Sequence, residues 1–443
     1  MYRLLLTLFL SAAAISATAG SDAVSFRREI APLLQRHCST CHSEDNSKGK
    51  YRVDTFALLL KPGESDSQPV VARKPEHSEL YQRLIETDRD DRMPQKADAL
   101  TSEEIAAVER WIKAGAPYDG ETPDQPLVEL AHEALIQPAP ARYPRPLPAA
   151  ALAFSPDGQK LAVGGYHEVT LWSIADGTLL KRIGGLPERI TSLDWNKSAA
   201  LLAVAGGTPG QWGAAVLLDP ASDAKPRYLC DEADTTLCVT FSPDGKQLAV
   251  AGADRTLRIF ETETGKAQRV FRQHADWIQT VAFSHDGHRL VTASRDRTAR
   301  VFDLQTGEIE TTYSGHEQPV LAACFLGDGS RVLSLDRNKA IHIWNSHTRE
   351  KAFEWNGLDF DIRQFRLWNS LLVTAGSAKD VAVLQLSDRQ PLFRLAGHRD
   401  EITALAVSRD GTTLASASAN GEVLIWNLAC GTWIMRFIAS PGW

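Results

Sequence analysis

Cys38 and Cys41 stand three residues apart and His42 follows directly, within His37-Cys38-Ser39-Thr40-Cys41-His42. On a single turn of chain, two thiols at that spacing can each reach one vinyl group of a haem, while the next imidazole swings under the iron. The motif therefore predicts one covalently bound haem c, attached at Cys38 and Cys41, with His42 as an axial ligand. Three other chemistries use neighbouring cysteines. Zinc could take Cys38, Cys41, His37 and His42, but tetrahedral sites normally draw a second ligand pair from elsewhere, and no second pair with that spacing occurs. A thioredoxin-type dithiol wants a strand before it, and the residues before Cys38 read as helix. A plain disulfide leaves His42 without a role, and His37 reads as a bystander on the helix.

The iron of an electron carrier needs a second axial ligand, and methionine sulfur opposite histidine raises the reduction potential. The chain has three methionines. Met1 goes with the leader and Met435 lies in the last strand, which leaves Met93, in Asp91-Arg92-Met93-Pro94-Gln95. Pro94 restricts Met93 to an extended or turn conformation, suited to a loop that presents its thioether inward. His77 is the main substitute, and an open iron position the third choice.

Two helices must position these groups. Phe26, Ile30, Leu33 and Leu34 recur at the spacing of one apolar face over Ser25 to Gln35, leading into the cysteine motif. Thr101 and Glu104 form a capping box ahead of Ile105, Val108, Trp111 and Ile112, and Gly115 and Pro117 stop that helix. The segment Ser25 to Pro117 resembles the planctomycete-type cytochrome c family. The elements that carry the resemblance are Phe26 to Leu34, Cys38-Ser39-Thr40-Cys41-His42, Arg92-Met93-Pro94 and Glu109 to Pro117. The resemblance implies a small all-α c-type cytochrome domain.

The chain is 443 residues long, with 43% hydrophobic and 23% charged residues, which excludes a disordered chain and a multi-span membrane protein. Its formal charge of −7 makes nucleic acid a poor partner. Arg3, the apolar stretch Leu4 to Ile15 and Ala17-Thr18-Ala19 read as a signal peptide over residues 1–19, too short to span a bilayer. The expected mature chain is extracytoplasmic, in the periplasm or cell envelope, with no integral membrane segment. Its expected domains are a cytochrome over 20–119, a Pro-rich linker over 120–148 with a short helix within 128–136, and an all-β region over 149–443.

From Ala149 the chain repeats itself. The turn Ser155-Pro156-Asp157-Gly158 returns at Ser242, Ser284, Gly327 and Ser408, with intervals of 87, 42, 42 and 82 residues between its aspartates, so two units with eroded turns belong near Asn196 and Asn369. Seven units of four short β-stretches, with third stretches ending at pairs such as Trp344-Asn345 and Trp426-Asn427, resemble WD40 repeats and predict a seven-bladed β-propeller. His274, His316 and His398 lie 22 residues before Asp296, Asn338 and Asn420. That is the spacing of the family's internal hydrogen-bond tetrad, so these histidines read as structural. Trp433 to Ala439 is expected to close the ring as the last blade's outer strand, with an exchanged N-terminal strand as the alternative. Cys230, Cys238, Cys324 and Cys430 read as buried small side chains, a Cys230 to Cys238 bridge being the local alternative.

The loops between second and third strands gather on one propeller face and hold Tyr166, the longer Gly206 to Gly213 loop with Trp212, and Arg255, Arg295, Arg297 and Arg337. This is the candidate partner-docking face, with Trp212 as its large contact, against a reading in which Asp254, Asp296 and Asp336 offset the arginines. A Met/His iron has no vacant site and exchanges electrons without binding substrate. The leading expectation is an exported one-electron carrier whose propeller docks a redox partner protein, an electron carrier and binding protein rather than an enzyme. The alternatives are a cytochrome-propeller redox enzyme and a non-redox scaffold or gas sensor with haem.

Overall fold

A computed structural model describes residues 24–442 apart from 40, 45, 96–97, 198–200, 233, 356–361, 363, 369 and 388–389. The expected signal peptide and the turn at Asn369 lie outside the described residues. The chain divides into two compact units between Ala134 and Leu135.

The first unit is helical. A wide turn over Phe26–Ile30 runs into helix α1, Ala31–His37. The turn is wide because Pro32 has no N–H to return to Arg28, and the Ala31 amide bonds five residues back to Phe26 instead. Further along come α2, Phe56–Leu59, and α3, Glu79–Ile85. The expected C-terminal helix is α4, Ser102–Lys113, and both halves of its Thr101–Glu104 capping box form. Their apolar faces meet in one core. There Phe26 packs edge-on against Phe56 at 4.9 Å and tilted against Trp111 at 5.5 Å. The Trp111 indole donates to the Pro117 carbonyl at 2.9 Å. Within the expected linker, helix α5, Leu127–Leu135, adds Leu127 and Leu130 to this same core. A helical composition with two leucines three apart outweighed the surrounding prolines there.

The second unit is the seven-bladed propeller. Among the described residues, twenty-eight strands form seven antiparallel four-stranded sheets, each from four consecutive strands. The blades run over 152–183, 189–232, 236–271, 278–313, 320–355, 364–396 and 402–438. Thr432–Ile438 pairs with Glu422–Asn427 and completes the last blade from its own chain segment, so the ring closes without an exchanged strand. The first and last blades instead share an apolar cluster that includes Phe154, Leu161, Trp172, Ala404, Val423 and Ile425. The Thr403 hydroxyl also donates to the Ala149 carbonyl at 2.7 Å. Residues just before the ring are strapped to it. Tyr143 donates to Glu168 at 2.6 Å, and Arg182, paired with Glu168 at 2.7 Å, holds the Ala141 carbonyl at 2.8 Å.

All three tetrad histidines are buried and structural, but only one keeps its expected partner. His274 meets Asp296 at 2.8 Å and Thr292 at 2.7 Å, with Phe302 in place of an indole donor. His316 pairs with Asp336 at 3.1 Å, not Asn338, and reaches Trp344 through Ser334. His398 pairs with Glu422 at 3.3 Å, not Asn420, and reaches Trp426 through Ser416. In the fifth blade the ionised Asp336, two residues from the amide, is the stronger acceptor and takes its place, whereas in the seventh Glu422 stands against the imidazole as a close charge without a hydrogen bond. Cys238 and Cys324 are free, half-buried thiols, whereas Cys430 is exposed in the turn before the last strand, a correction to its expected burial. The side chain of Cys230 lies outside the described residues.

The His342 ring stacks on His316 at 4.0 Å and its Nδ1 meets the Tyr313 hydroxyl at 2.9 Å. Burial first, then the His316 and Lys351 charges, push its pKa down to about 4, against the pull of Glu354 and Asp336. A folded-state value below the ordinary one of about 6.5 means the folded ring resists a proton that the unfolded chain accepts. Its contribution is therefore complete above about pH 6.5 and lost as pH falls toward 4. Urea unfolding of the propeller at pH 7 and near pH 4.5 is expected to show a falling midpoint. The variant His342→Gln should lose about 2 kcal/mol less over that window; parallel losses in variant and parent would assign the acid sensitivity to other groups.

Candidate functional site

Where α1 ends, the chain tightens into a turn in which the Cys41 and His42 amides both donate to the Cys38 carbonyl, at 3.1 and 3.0 Å. That turn puts Cys38, Cys41 and His42 on one cavity of about 470 Å³, within the range of roughly 300–1,000 Å³ usual for cofactor and small-molecule sites. Met93 lines the same cavity, fifty-one residues on from His42. His77 does not line it: its side chain is 64% exposed and lies 3.8 Å from Glu76. Val53, Pro69, Leu80 and Leu84 supply apolar wall, and Lys48, Glu64, Glu79 and Arg83 supply charge.

The positions of the donors follow from local bonds. His42 Nδ1 lies 3.3 Å from the Tyr51 carbonyl, which can only accept, so Nδ1 carries the proton and Nε2 keeps its lone pair. The Val53 amide donates to the His42 carbonyl at 2.8 Å and fixes the strand of chain behind the ring. On the other wall the Met93 amide donates to the Arg83 carbonyl at 2.9 Å, tying the methionine loop to α3. Gly63 closes the wall between: its neighbour Glu64 donates to the Gly49 carbonyl at 2.7 Å, and a Cβ on Gly63 would stand 2.5 Å from that oxygen.

His37 is more than a bystander. Its Nε2 meets Glu104 at 3.0 Å and so joins the end of α1 to the capping box of α4. Burial alone would raise the Glu104 carboxyl, but bonds from the Thr101 amide, His37 and the Thr101 hydroxyl hold it below its usual value. The pairing spans 67 residues, and no local pattern announces it. Cys38 and Cys41 are free thiols, not a disulfide, and burial, with Cys41 adding, pushes the Cys38 thiol up to about 12. Among the described residues no three His, Cys, Asp or Glu side chains converge as a zinc cage requires. Two thiols, an imidazole with a free Nε2 and a thioether around one largely apolar cavity fit a thioether-linked haem as a donor set.

The expected docking face divides. Arg255, Arg295, Arg297 and Arg337 are exposed, and Tyr166 is 38% exposed with its hydroxyl on Glu188 at 3.0 Å. Trp212 overturns the expectation made for it. It is only 4% exposed, opens the strand Trp212–Leu218 and packs in the core between the first two blades. Strand pairing continues to Thr208 opposite Trp212, so what reads as a long glycine-rich loop is a hairpin end that turns the indole inward.

The class of protein is therefore a small helical unit with a two-thiol, one-imidazole cavity, joined in one chain to a seven-bladed propeller. Residues 38–96 match the family described as planctomycete cytochrome c, and residues 230–261, 265–303, 307–345 and 389–427 match the WD domain, G-beta repeat. Together with the seven blades, these matches support a fusion of a cytochrome domain with a WD40 propeller. Among curated proteins, a stretch covering 26% of the chain is 28% identical to the Periodic tryptophan protein 2 homolog of Schizosaccharomyces pombe. A stretch covering 14% is 37% identical to human Angio-associated migratory cell protein. A 42-residue stretch is 52% identical to mouse Peptidylprolyl isomerase domain and WD repeat-containing protein 1. The chain spans 13%, 14% and 6% of the lengths of these three relatives. No helix among the described residues is long and apolar enough to cross a membrane.

Because any side chain at Gly63 collides with the Gly49 backbone, Gly63→Ala is expected to push the two wall segments apart and cost the helical unit about 1 to 3 kcal/mol. A change in urea midpoint of the α-helical signal reads this directly, and an unchanged midpoint would show that the wall yields freely.

Proposed function

We propose that the chain is an exported c-type cytochrome that carries one covalent haem c and passes single electrons, with its WD40 propeller as the platform on which a redox partner protein docks. The reading is carried by one observation: Cys38, Cys41, His42 and Met93, dispersed over fifty-six residues, converge on a single cavity that leaves His77 outside. Export rests on the leader-like sequence of residues 1–19 alone. The docking role rests on the match of the repeats to WD40 domains and on the exposed arginine turns.

Attachment is balanced without any redox change. Cys38 and Cys41 would hold the haem covalently, each giving its sulfur and its hydrogen to one vinyl group. The haem, once bound, supplies the iron that alternates between ferric and ferrous states. His42, its Nδ1 proton held by Tyr51, would offer Nε2 to the iron, and Met93, on the loop tied to Arg83, would offer its thioether. Val53, Leu80 and Leu84 line the cavity with apolar surface and would favour the less charged reduced state of the iron.

The test is the full chain expressed through a haem-attaching export route, then denatured and extracted with acid acetone. Pigment is expected to stay with the protein in the parent and to leave it in Cys38→Ala/Cys41→Ala. Met93→Ala is expected to keep its pigment, show a lower potential and, once reduced, bind carbon monoxide. Extractable pigment in the parent would end the cytochrome reading. Carbon monoxide binding by the parent would favour the gas sensor.

A further inference from the structure

Tyr51 lines the cavity and touches His42 in two ways. Its carbonyl takes the Nδ1 proton at 3.3 Å, and its ring meets the imidazole edge-on, with centroids 5.4 Å apart and planes at 65°. The first contact needs only a backbone, so any residue could make it. The second needs an aromatic ring held at one angle, and the broad outer torsion of a tyrosine leaves an unsupported ring free to rock.

The support lies at the far end of the ring, where the Tyr51 hydroxyl donates to the Leu59 carbonyl at 2.9 Å. Leu59 is the last residue of α2, and a helix end leaves its carbonyls without intrahelical donors, so the bond serves both partners. Phe56, on the same short helix, packs against Phe26 and Trp111, which ties this acceptor to the aromatic core of the helical unit. Gly63 presses on the other side of the residue: a Cβ there would stand 3.0 Å from the Tyr51 Cβ. The backbone before Tyr51 is moored to the cysteine turn itself. The Lys48 amide donates to the Cys41 carbonyl at 2.9 Å, and the Tyr51 amide donates to the Lys48 carbonyl at 3.3 Å. A side chain that only filled the wall would need no such anchor, since phenylalanine has almost the same volume and asks for no acceptor.

We propose that the Tyr51 side chain is a positioning residue for His42: its hydroxyl, anchored on Leu59, fixes the plane and the tautomer of the imidazole. The inference rests on the cytochrome reading and names what tunes the nitrogen offered to the iron. Loss of the anchor lets the ring drift, and the Tyr51 carbonyl drifts with it. A weaker acceptor at Nδ1 makes Nε2 a poorer donor, and a poorer donor favours ferrous over ferric iron.

Two variants of the full chain separate the parts. Tyr51→Phe removes only the hydroxyl, and Tyr51→Leu removes the ring; Tyr51→Phe keeps the volume and decides the question alone if Tyr51→Leu loses its α-helical signal. In the haem-loaded chain, Tyr51→Phe is expected to raise the ferrous-to-ferric ratio at a fixed poise by about two- to tenfold, the range that one net hydrogen bond commands. Its ferric electron paramagnetic resonance g values should move as well, since they follow the plane of the axial imidazole, and Tyr51→Leu should move both further. In the haem-free chain, nitrogen-resolved magnetic resonance of the histidines in alkaline buffer should show the Nδ1–H tautomer alone at His42 in the parent and a mixture in both variants. Ratio, g values and tautomer unchanged in Tyr51→Phe overturn the proposal, even where Tyr51→Leu alters them. The two readings fail apart: a parent chain that takes up no covalent haem ends the cytochrome, while its His42 tautomer still decides the part played by Tyr51.

Discussion

The packing of Trp111 against Phe26 and Phe56 is the interaction on which the cavity depends. Trp111 is fully buried on α4, Phe26 leads into α1, and Phe56 opens α2, just past the Tyr51–Val53 segment behind His42. The wall that carries the cysteines and the histidine is therefore set by one aromatic cluster. Charge plays a smaller part. The Lys50–Glu64 pair is largely exposed and the Arg83–Glu79 pair partly so, and surface pairs of this kind contribute about 0 to 1 kcal/mol each. A buried aromatic or leucine side chain contributes about 1.5 to 3 kcal/mol, so apolar burial positions the donors and the ion pairs only trim the rim.

In the propeller the same ordering of forces explains how the ring closes. No strand is exchanged between the first and last blades; alanine, valine and leucine faces interlock across the seam. Alanines in the last blade's strands let the bulkier Phe154 and Trp172 of the first blade sit close. Polar networks then select the arrangement within each blade. His316 and His398 each join an indole to a carboxylate through a serine hydroxyl. The fourth blade lacks the indole and ends its chain at Thr292, yet its sheet forms as fully as the others. The networks therefore specify and stiffen the blades, while the faces hold them together.

What could be read from the residues alone divides by sequence distance. Cys38, Cys41 and His42 are legible because their chemistry depends on spacing within one turn. Met93 is legible by elimination, since only three methionines compete. The seven blades are legible because the repeat restates one pattern of four strands. Pairings across the fold are not. His37 finds Glu104 only once α1 and α4 come together, and the carboxylates of Asp336 and Glu422, not the expected asparagines, stand against the buried imidazoles because charge, not register, chooses the neighbour. The burial of Trp212 is hidden for a related reason. Glycines and a proline around it suggest a loop, but Gly207 and Gly213 let two strands approach closely, with a Cβ on Gly213 only 2.3 Å from a neighbouring carbonyl. Pairing then extends through the glycines and buries the indole.

The arginine turns show the opposite relation between local preference and outcome. At Gly421 the fold adopts its left-handed turn freely, whereas Arg255, Arg297 and Lys339 adopt it at about 1 to 2 kcal/mol each. Nothing within the turn offsets that cost. The closing amide bond is 2.9 Å long at Gly421 and 3.1 to 3.3 Å at the three cations, and the aspartates that cap the turns point inward to histidine, threonine or backbone. The apolar stems add little, since Arg255 and Arg297 are exposed. A folding argument alone would therefore place glycine in all four blades. The same pattern recurs at Arg349, at φ +68° in the turn where four other blades place Gly177, Gly265, Gly307 and Gly431, so the propeller tolerates a long cation in a left-handed turn at more than one point of the repeat.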